Sequence, residues 1–233
     1  MGHTTYGDFI RAQREQRGLS QQQIADKIGV SRSTYLSVER GTKELSLSEA
    51  ESLARLFGVT VNELLQNRIP NEEKYKEMIL AYLRMAKNDK RPLKKTKLAK
   101  LLYFADFTWF YRNLESMSGM SYRRIDFGPV PNEYFTALEE LAREGKVTIS
   151  CKTHEEGYGM YEIEETRASE KTPLSNLDKK ELKLIDDIWN KWSDAKTEEI
   201  VAFTHEQLPY RMSFNKEVIP YELITQESPE HVF

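Results

Sequence analysis

A single cysteine, Cys151, stands among the 233 residues. It excludes an intramolecular disulfide framework and points to a reducing compartment. Histidine is scarce too. His3, His154, His205 and His231 lie far apart, with no H-x-x-x-H or Cys/His pair at metal-ligand spacing, so no metal site is expected. The phosphate-loop pattern G-x-x-x-x-G-K-[ST] is missing, and Gly157 and Gly159 fall in an expected hairpin. The longest apolar run lies within 98–111, short of the roughly 20 residues that span a bilayer. The N-terminal stretch MGHTTYGDFIRAQ has no apolar signal-peptide core. A cytoplasmic protein with no membrane partner is the expectation. Cys151 closes a strand and is expected as a small buried hydrophobe, and His205 as a structural helix-end histidine. The carboxylates at 162, 164 and 165 alternate on a strand and need no role. The chain is expected to bind rather than react: it is not an enzyme and has no cofactor.

What is present suits a packed protein. The composition is 39% hydrophobic and 30% charged, and twelve Tyr, ten Phe and three Trp need a place to go. The net charge of -3 hides an uneven distribution. Residues 1–67 carry 8 basic and 8 acidic side chains, residues 68–112 carry 12 and 5, and residues 113–233 carry 14 and 24. The last stretch, net -10, would repel a duplex, so nucleic acid is not expected to run along the whole protein.

The first 67 residues are punctuated for five helices. YGDFIRAQREQR stops at Gly18. Ser20 caps SQQQIADKIG, which ends at Gly29, where a residue without Cβ takes a positive φ. Ser31 caps SRSTYLSVERG, and two short helices about a tight turn make a helix-turn-helix pattern. SLSEAESLARLFG and TVNELLQ follow, capped by Ser46 or Ser48 and by Thr60. GLSQQQIADKIGVSRSTYLSVERG resembles the Xre family of phage-repressor-type helix-turn-helix domains, over about residues 6–66. The resemblance implies DNA contacts by Gln21 at the start of the second helix. It places Arg32, Ser33 and Ser37 on the exposed face of the recognition helix, and Arg40 and Lys43 in the loop that tracks the backbone. It also implies a structural pair, Arg14 with Glu39. An Arg32 guanidinium suits guanine O6 and N7, and serine hydroxyls suit either base type. With net charge 0 a monomer has few spare cations, so a homodimer on two half-sites of operator DNA is expected.

NRIPNEEKY joins this part to the next. Pro70 ends the fifth helix and Asn71 caps a new one, EEKYKEMILAYLRMAKN. Behind the basic run KRPLKKTK comes KLAKLLYFADF. Of residues 98–111 only Lys100, Asp106 and Thr108 are not apolar or aromatic, and those three do not share a helical face. A helix apolar nearly all round is a buried one, which excludes an interfacial membrane helix and disfavours a nucleic-acid stacking surface. The lysines at 90–97 read as its solvated approach. Further on, FGPVPNEYF makes a turn and then a helix to about Glu144. KVTISC and GMYEIEE pair as a hairpin through EEGYG. SNLDKKELKLIDDIWNKWSD and TEEIVAFTHEQL are helices, and the residues from Asn215 on are expected to be a loosely held tail.

Three blocks, KLAKLLYFADF, YRRIDFGPVPNEYFTALEELAREGKV and TEEIVAFTHEQLPYR, together resemble the Panacea domain, the SocA-like or GepA-like antitoxin domain. Lys97, Leu101, Leu102, Tyr103 and Phe104 carry the first match, Phe127, Gly128, Pro129 and Val130 the second, and Thr204, His205 and Pro209 the third. The fold class expected is therefore mainly α. A five-helix repressor-type domain (1–67) and a short linker (68–74) precede an α+β Panacea domain of helices with a small β-hairpin (75–215), and a tail (216–233) follows. The resemblance implies the antitoxin of a toxin–antitoxin pair, which masks a co-encoded toxin and represses the shared promoter. Two other readings stay open: a transcription regulator whose second domain senses a ligand or dimerises, and a proteolytic adaptor for a toxin. The toxin-contacting surface is not legible. Tyr122, Tyr158 and Tyr161 are candidates, with core or hairpin packing as the alternative.

Overall fold

A computed structural model describes residues 6–59, 61–65, 70–153 and 159–233. They fall into two compact units, Met1–Ile69 and Pro70–Phe233. The Thr60 cap, His3, His154, Gly157, Tyr158 and the rest of the EEGYG connection up to 158 lie outside the described residues.

The first unit is built from α1 (Tyr6–Gln16), α2 (Gln21–Ile28), α3 (Arg32–Glu39), α4 (Leu47–Phe57) and α5 (Val61–Leu65). Each start and stop has a local cause. Ser20 and Gln23 form a reciprocal capping box at α2, as do Ser46 and Glu49 at α4, and the Ser31 hydroxyl accepts from Thr34 N at α3. Gly29 and Gly58 end α2 and α4 with φ of 74° and 72°. The apolar faces close over Phe9, Ile10, Ile24, Tyr35, Val38, Leu53, Phe57 and Leu64, all buried. α1 sits hard against the end of α3: a Cβ on Gly7 would lie 2.5 Å from the Glu39 carbonyl oxygen.

The second unit is organised around α7 (Lys95–Asn113), packed against α6 (Glu72–Asn88), α9 (Lys179–Trp192) and α10 (Thr197–Glu206). Every residue of α7 from Lys97 to Thr108 is buried, so the ring-rich stretch is core. Its three polar members are buried with the rest: Lys100 at 1% exposure, Asp106 and Thr108 at 0%. Asp106 survives there because it accepts from Ser116 Oγ, Ser118 N, Ser118 Oγ and Tyr122 OH at 2.5–3.0 Å. Burial pushes its pKa up against those donors. The basic approach is less solvated than its composition suggests. Lys97 is buried and donates to Ser193 O (2.9 Å) and Ala195 O (2.5 Å), beyond the C-terminal end of α9, where the helix dipole favours a cation. Arg91 pairs with Asp194.

Strands β4 (Val147–Thr153) and β5 (Gly159–Glu165) form the expected antiparallel ladder, with Ile149 opposite Ile163. β1 (Leu93–Lys94) adds a third strand on the other edge of β5. A second small pairing, β2 (Tyr122–Arg123) with β3 (Val130–Pro131), closes the loop that contains FGPV. α8 (Glu133–Arg143) packs on β4 and buries Tyr134, Leu138 and Leu141. α10 is followed by a break at Gln207 and the short α11 (Leu208–Arg211).

Several expectations need correction. Residues 216–233 are not a loose tail. Ile219, Tyr221, Ile224 and Val232 are buried within two 3-10 turns, Tyr221–Gln226 and Pro229–His231, and the flanking chain. The Tyr221 ring stacks on Phe107 at 4.1 Å, and Ile219 N donates to Tyr122 O. Cys151 is exposed: it shares a strand face with the buried Val147 but lies farther along the ladder, opposite the half-exposed Tyr161, where the core no longer covers it. Tyr122 is fully buried under Asp106, Tyr103 and Phe107, so it cannot touch a partner; Tyr161 is 49% exposed. Glu162 and Glu165 do have roles: Glu162 pairs with Lys152, and the buried Glu165 takes Arg84 Nε at 3.0 Å on both oxygens.

Candidate functional site

The recognition helix α3 offers one face to the core and the other to solvent. At roughly 100° per residue Arg32, Ser33, Leu36, Ser37 and Arg40 fall within one arc, with the buried Tyr35 and Val38 outside it on the core side and the buried Glu39 beside its Arg32 edge. Arg32, Ser33 and Arg40 are exposed and Ser37 is half-exposed. The arc includes one residue that sequence reasoning passed over. Leu36 is half-buried in the middle of it, an apolar group of the kind that meets a thymine methyl. Its place between two polar neighbours was a readable signal, since an amphipathic helix rarely spends a leucine on its solvent face.

The structure joins two of the expected contacts, Gln21 and Arg32, to the structural pair. Arg14 Nε donates to Glu39 Oε1 at 2.6 Å, with the Glu39 side chain only 2% exposed. Gln21 Nε2 donates to Glu39 Oε2 at 3.0 Å, and Arg32 Nη2 donates to Gln21 Oε1 at 3.1 Å. One relay therefore runs Arg14–Glu39–Gln21–Arg32, from between α1 and α3 to the exposed start of the recognition helix. Burial pushes the Glu39 carboxyl up, but the Arg14 and Gln21 donors outweigh it and hold it below the usual carboxylate range. The relay fixes the Gln21 amide and preorients the Arg32 fork.

Other expected contacts are engaged within the protein. Lys43 Nζ lies 2.9 Å from Glu49 Oε2, so a phosphate would have to compete with that carboxylate. Ser37 Oγ donates to Ser33 O at 3.0 Å, which leaves its oxygen free as an acceptor. Ser33 Oγ lies 2.9 Å from the capping Ser31 Oγ. Arg40 is exposed at the C-terminal end of α3.

In the second unit the three matched blocks converge on one point. Lys100 Nζ, from α7, donates to Pro129 O at 3.0 Å. A Cβ on Gly128 (φ +92°) would lie 2.8 Å from Lys100 Nζ and 3.0 Å from Thr204 Oγ1. Burial pushes the Lys100 ammonium down to about 7. His205 stacks on Tyr210 with ring centroids 4.2 Å apart, and burial, then the charges of Lys100 and Arg124, push its pKa down. Among the described residues no three His, Cys, Asp or Glu side chains gather in a way that could hold a metal ion, and no helix is long and apolar enough to cross a membrane.

A helix-turn-helix unit with an exposed polar recognition face defines a DNA-binding regulator. Residues 10–64 match the helix-turn-helix family, and residues 98–209 match the antitoxin SocA-like Panacea domain. Similar proteins include the cryptic phage CTXphi transcriptional repressor RstR of Vibrio cholerae, 39% identical over 75 residues, which are 32% of this chain and 68% of the repressor. An HTH-type transcriptional regulator of Methanocaldococcus jannaschii is 34% identical over 55 residues, 24% of this chain and 83% of that protein. One of Methanothermobacter thermautotrophicus is 39% identical over 50 residues, 22% and 72%. No solved structure matches the chain. The chain belongs to the helix-turn-helix transcriptional regulators and carries a SocA-like Panacea domain on the same polypeptide. Neither family is one of enzymes.

Proposed function

We propose that this protein is an antitoxin: the second unit binds and masks a toxin encoded beside it, and the first unit represses their shared promoter. The observation that carries this reading is the pairing, on one chain, of a repressor-type helix-turn-helix with the antitoxin-like Panacea domain. Physics supports the division. The ring-rich helix α7 is spent on its own core and offers no stacking platform for nucleic acid. The acidic residues 113–233 disfavour a duplex, while α3 presents two arginines and two serines on one arc. We further propose Gln21, Arg32, Ser33, Ser37 and Arg40 as the operator contacts, with Lys43 contributing after it leaves Glu49. A homodimer on two half-sites about 34 Å apart offsets the near-zero charge of the first unit.

The test is co-expression with the adjacent reading frame. The reading predicts that the neighbour alone arrests growth, that this protein restores growth, and that the two purify together. A neighbour that is harmless alone, or a rescue with no stable complex and a shortened neighbour half-life, contradicts masking; the second result is that of a proteolytic adaptor.

A further inference from the structure

The turn that carries FGPV is held from inside with unusual expense. A buried lysine, Lys100, donates to Pro129 O, and Gly128 packs so closely on the end of Lys100 and on Thr204, at a φ of +92°, that a side chain there would strain the backbone and displace the ammonium. Gly128 N closes the turn on Ile125 O at 2.8 Å. The residue at its apex, Phe127, is nevertheless 71% exposed. The neighbouring segment is clamped to the same turn. Tyr210 OH donates to Ile125 O at 3.0 Å, Arg124 Nη1 donates to the carbonyls of Tyr210 and Ser213, and the Arg124 guanidinium lies 4.4 Å from the centre of the Tyr210 ring. Backbone bonds from Lys216 N to Arg124 O and from Arg124 N to Glu217 O complete the tie. That second segment carries Phe214, 75% exposed, and Met212, 65% exposed. Residues 122–128 and 210–217 thus form one rigid ledge that holds two phenylalanines and a methionine out in water.

A rigid, preorganised aromatic anchor is what a protein interface uses for most of its energy, because little conformational freedom is left to lose on docking. The charge of the ledge is also distinct. Arg123 and Arg124 spend their guanidinium groups on backbone carbonyls, which do not neutralise them, and Arg211 and Lys216 are exposed. Against these four cations the two segments carry Asp126 and Glu217. A basic, apolar spot stands on a stretch whose net charge is -10.

We propose that this ledge is the surface by which the second unit holds its protein partner, with Phe127 and Phe214 entering an apolar pocket whose rim carries carboxylates. The proposal rests on the reading of the protein as an antitoxin and names the chemistry of the toxin's binding face. It is tested on the full-length chain, with the purified product of the adjacent reading frame as the probe. Two variants are compared with wild type by surface-immobilised kinetics: Phe127→Ser with Phe214→Ser, and Arg211→Glu with Lys216→Glu. Thermal melting and operator binding check the fold of each. The aromatic pair is expected to weaken capture at least about 100-fold through faster dissociation. The charge reversal is expected to slow association about tenfold at low salt, a deficit that closes as salt rises. If wild type captures the probe and the aromatic variant captures it equally, the ledge is overturned and the antitoxin reading stands. If wild type captures nothing, that reading falls and takes the ledge's occupant with it. Faster association after charge reversal overturns the acidic rim. An aromatic variant that becomes monomeric where wild type is dimeric, with capture unchanged, makes the ledge a contact between copies and overturns the proposal.

Discussion

In the first unit the buried polar side chains lead outward. Glu39 is interior and tied to Arg14 of α1, but the bond it accepts from Gln21 is a step outward, through Gln21 to Arg32 at the recognition face. In the second unit they lead inward. Asp106 gathers Ser116, Ser118 and Tyr122, Lys100 holds Pro129, and Lys97 holds carbonyls beyond the end of α9, each tying a loop to the central helix. Buried polar groups cost stability unless they are paired, so their placement marks what each unit must keep fixed. The first keeps a side-chain fork fixed for a ligand. The second keeps its own loops fixed, and the ledge is the exposed product.

The largest way to break the comparison is Leu102→Asp. Leu102 is fully buried in α7, and an unpaired carboxylate there is worth more than the stability of an ordinary domain margin can absorb. Loss of the cooperative melting transition of the second unit is expected by calorimetry, with operator binding by the first retained; a variant that melts like wild type would show that α7 is not core. Lys100→Met comes next. In the folded protein Lys100 titrates near 7, below its ordinary 10.5. Below about pH 7 it is charged in both states, and between 7 and 10.5 only the unfolded chain holds the proton, so wild-type stability rises with pH across that window. The Met variant is therefore expected to be the more stable at pH 7, with the gap in urea unfolding closing by about 1.4 kcal/mol per pH unit toward pH 10. A gap independent of pH would contradict an inward-buried ammonium.

Glu39→Ala sharpens the other side. It strands Arg14 and releases Gln21, at an expected cost of about 3 kcal/mol to the first unit. Because the Glu39 pKa is held low, its contribution is present above the ordinary carboxylate pKa and is lost as pH falls through the folded value. Denaturation of wild type and variant should therefore converge in acid; parallel curves down to low pH would remove the relay. The smallest effect is expected of Lys43→Ala. Its ammonium is already paired with Glu49, so operator affinity should fall by less than about 1 kcal/mol in a salt titration. A tenfold loss would mean that the contact Lys43 gains on DNA far outweighs the Glu49 pair it gives up.

The first unit was the more legible because its instructions are local. Ser20, Ser31 and Ser46 cap within three residues, and Gly18, Gly29 and Gly58 stop helices where they stand. The relay was half legible. The pairing of Arg14 with Glu39 was expected from resemblance, but the link from Glu39 to Gln21 joins residues 18 apart and no spacing announces it. In the second unit α7 was legible because an all-round apolar helix has one destination. Its partners were not. The 3-10 turns at Tyr221 and Pro229 have no periodicity, and β2 and β3 are two residues each. The ledge depends on contacts between segments about 85 residues apart, so Phe127 and Phe214 looked like ordinary members of a turn and a tail. Tyr122, read as a candidate contact, was drawn inside by Asp106, a partner 16 residues away.

The division of labour is tested most directly by Arg32→Ala in one preparation assayed twice, for operator binding and for capture of the adjacent frame's product. Arg32 caps the relay at the recognition face of the first unit. The account predicts that operator affinity falls about tenfold or more while capture and growth rescue stay at wild-type levels. Loss of capture and rescue by a variant that still melts like wild type would contradict it.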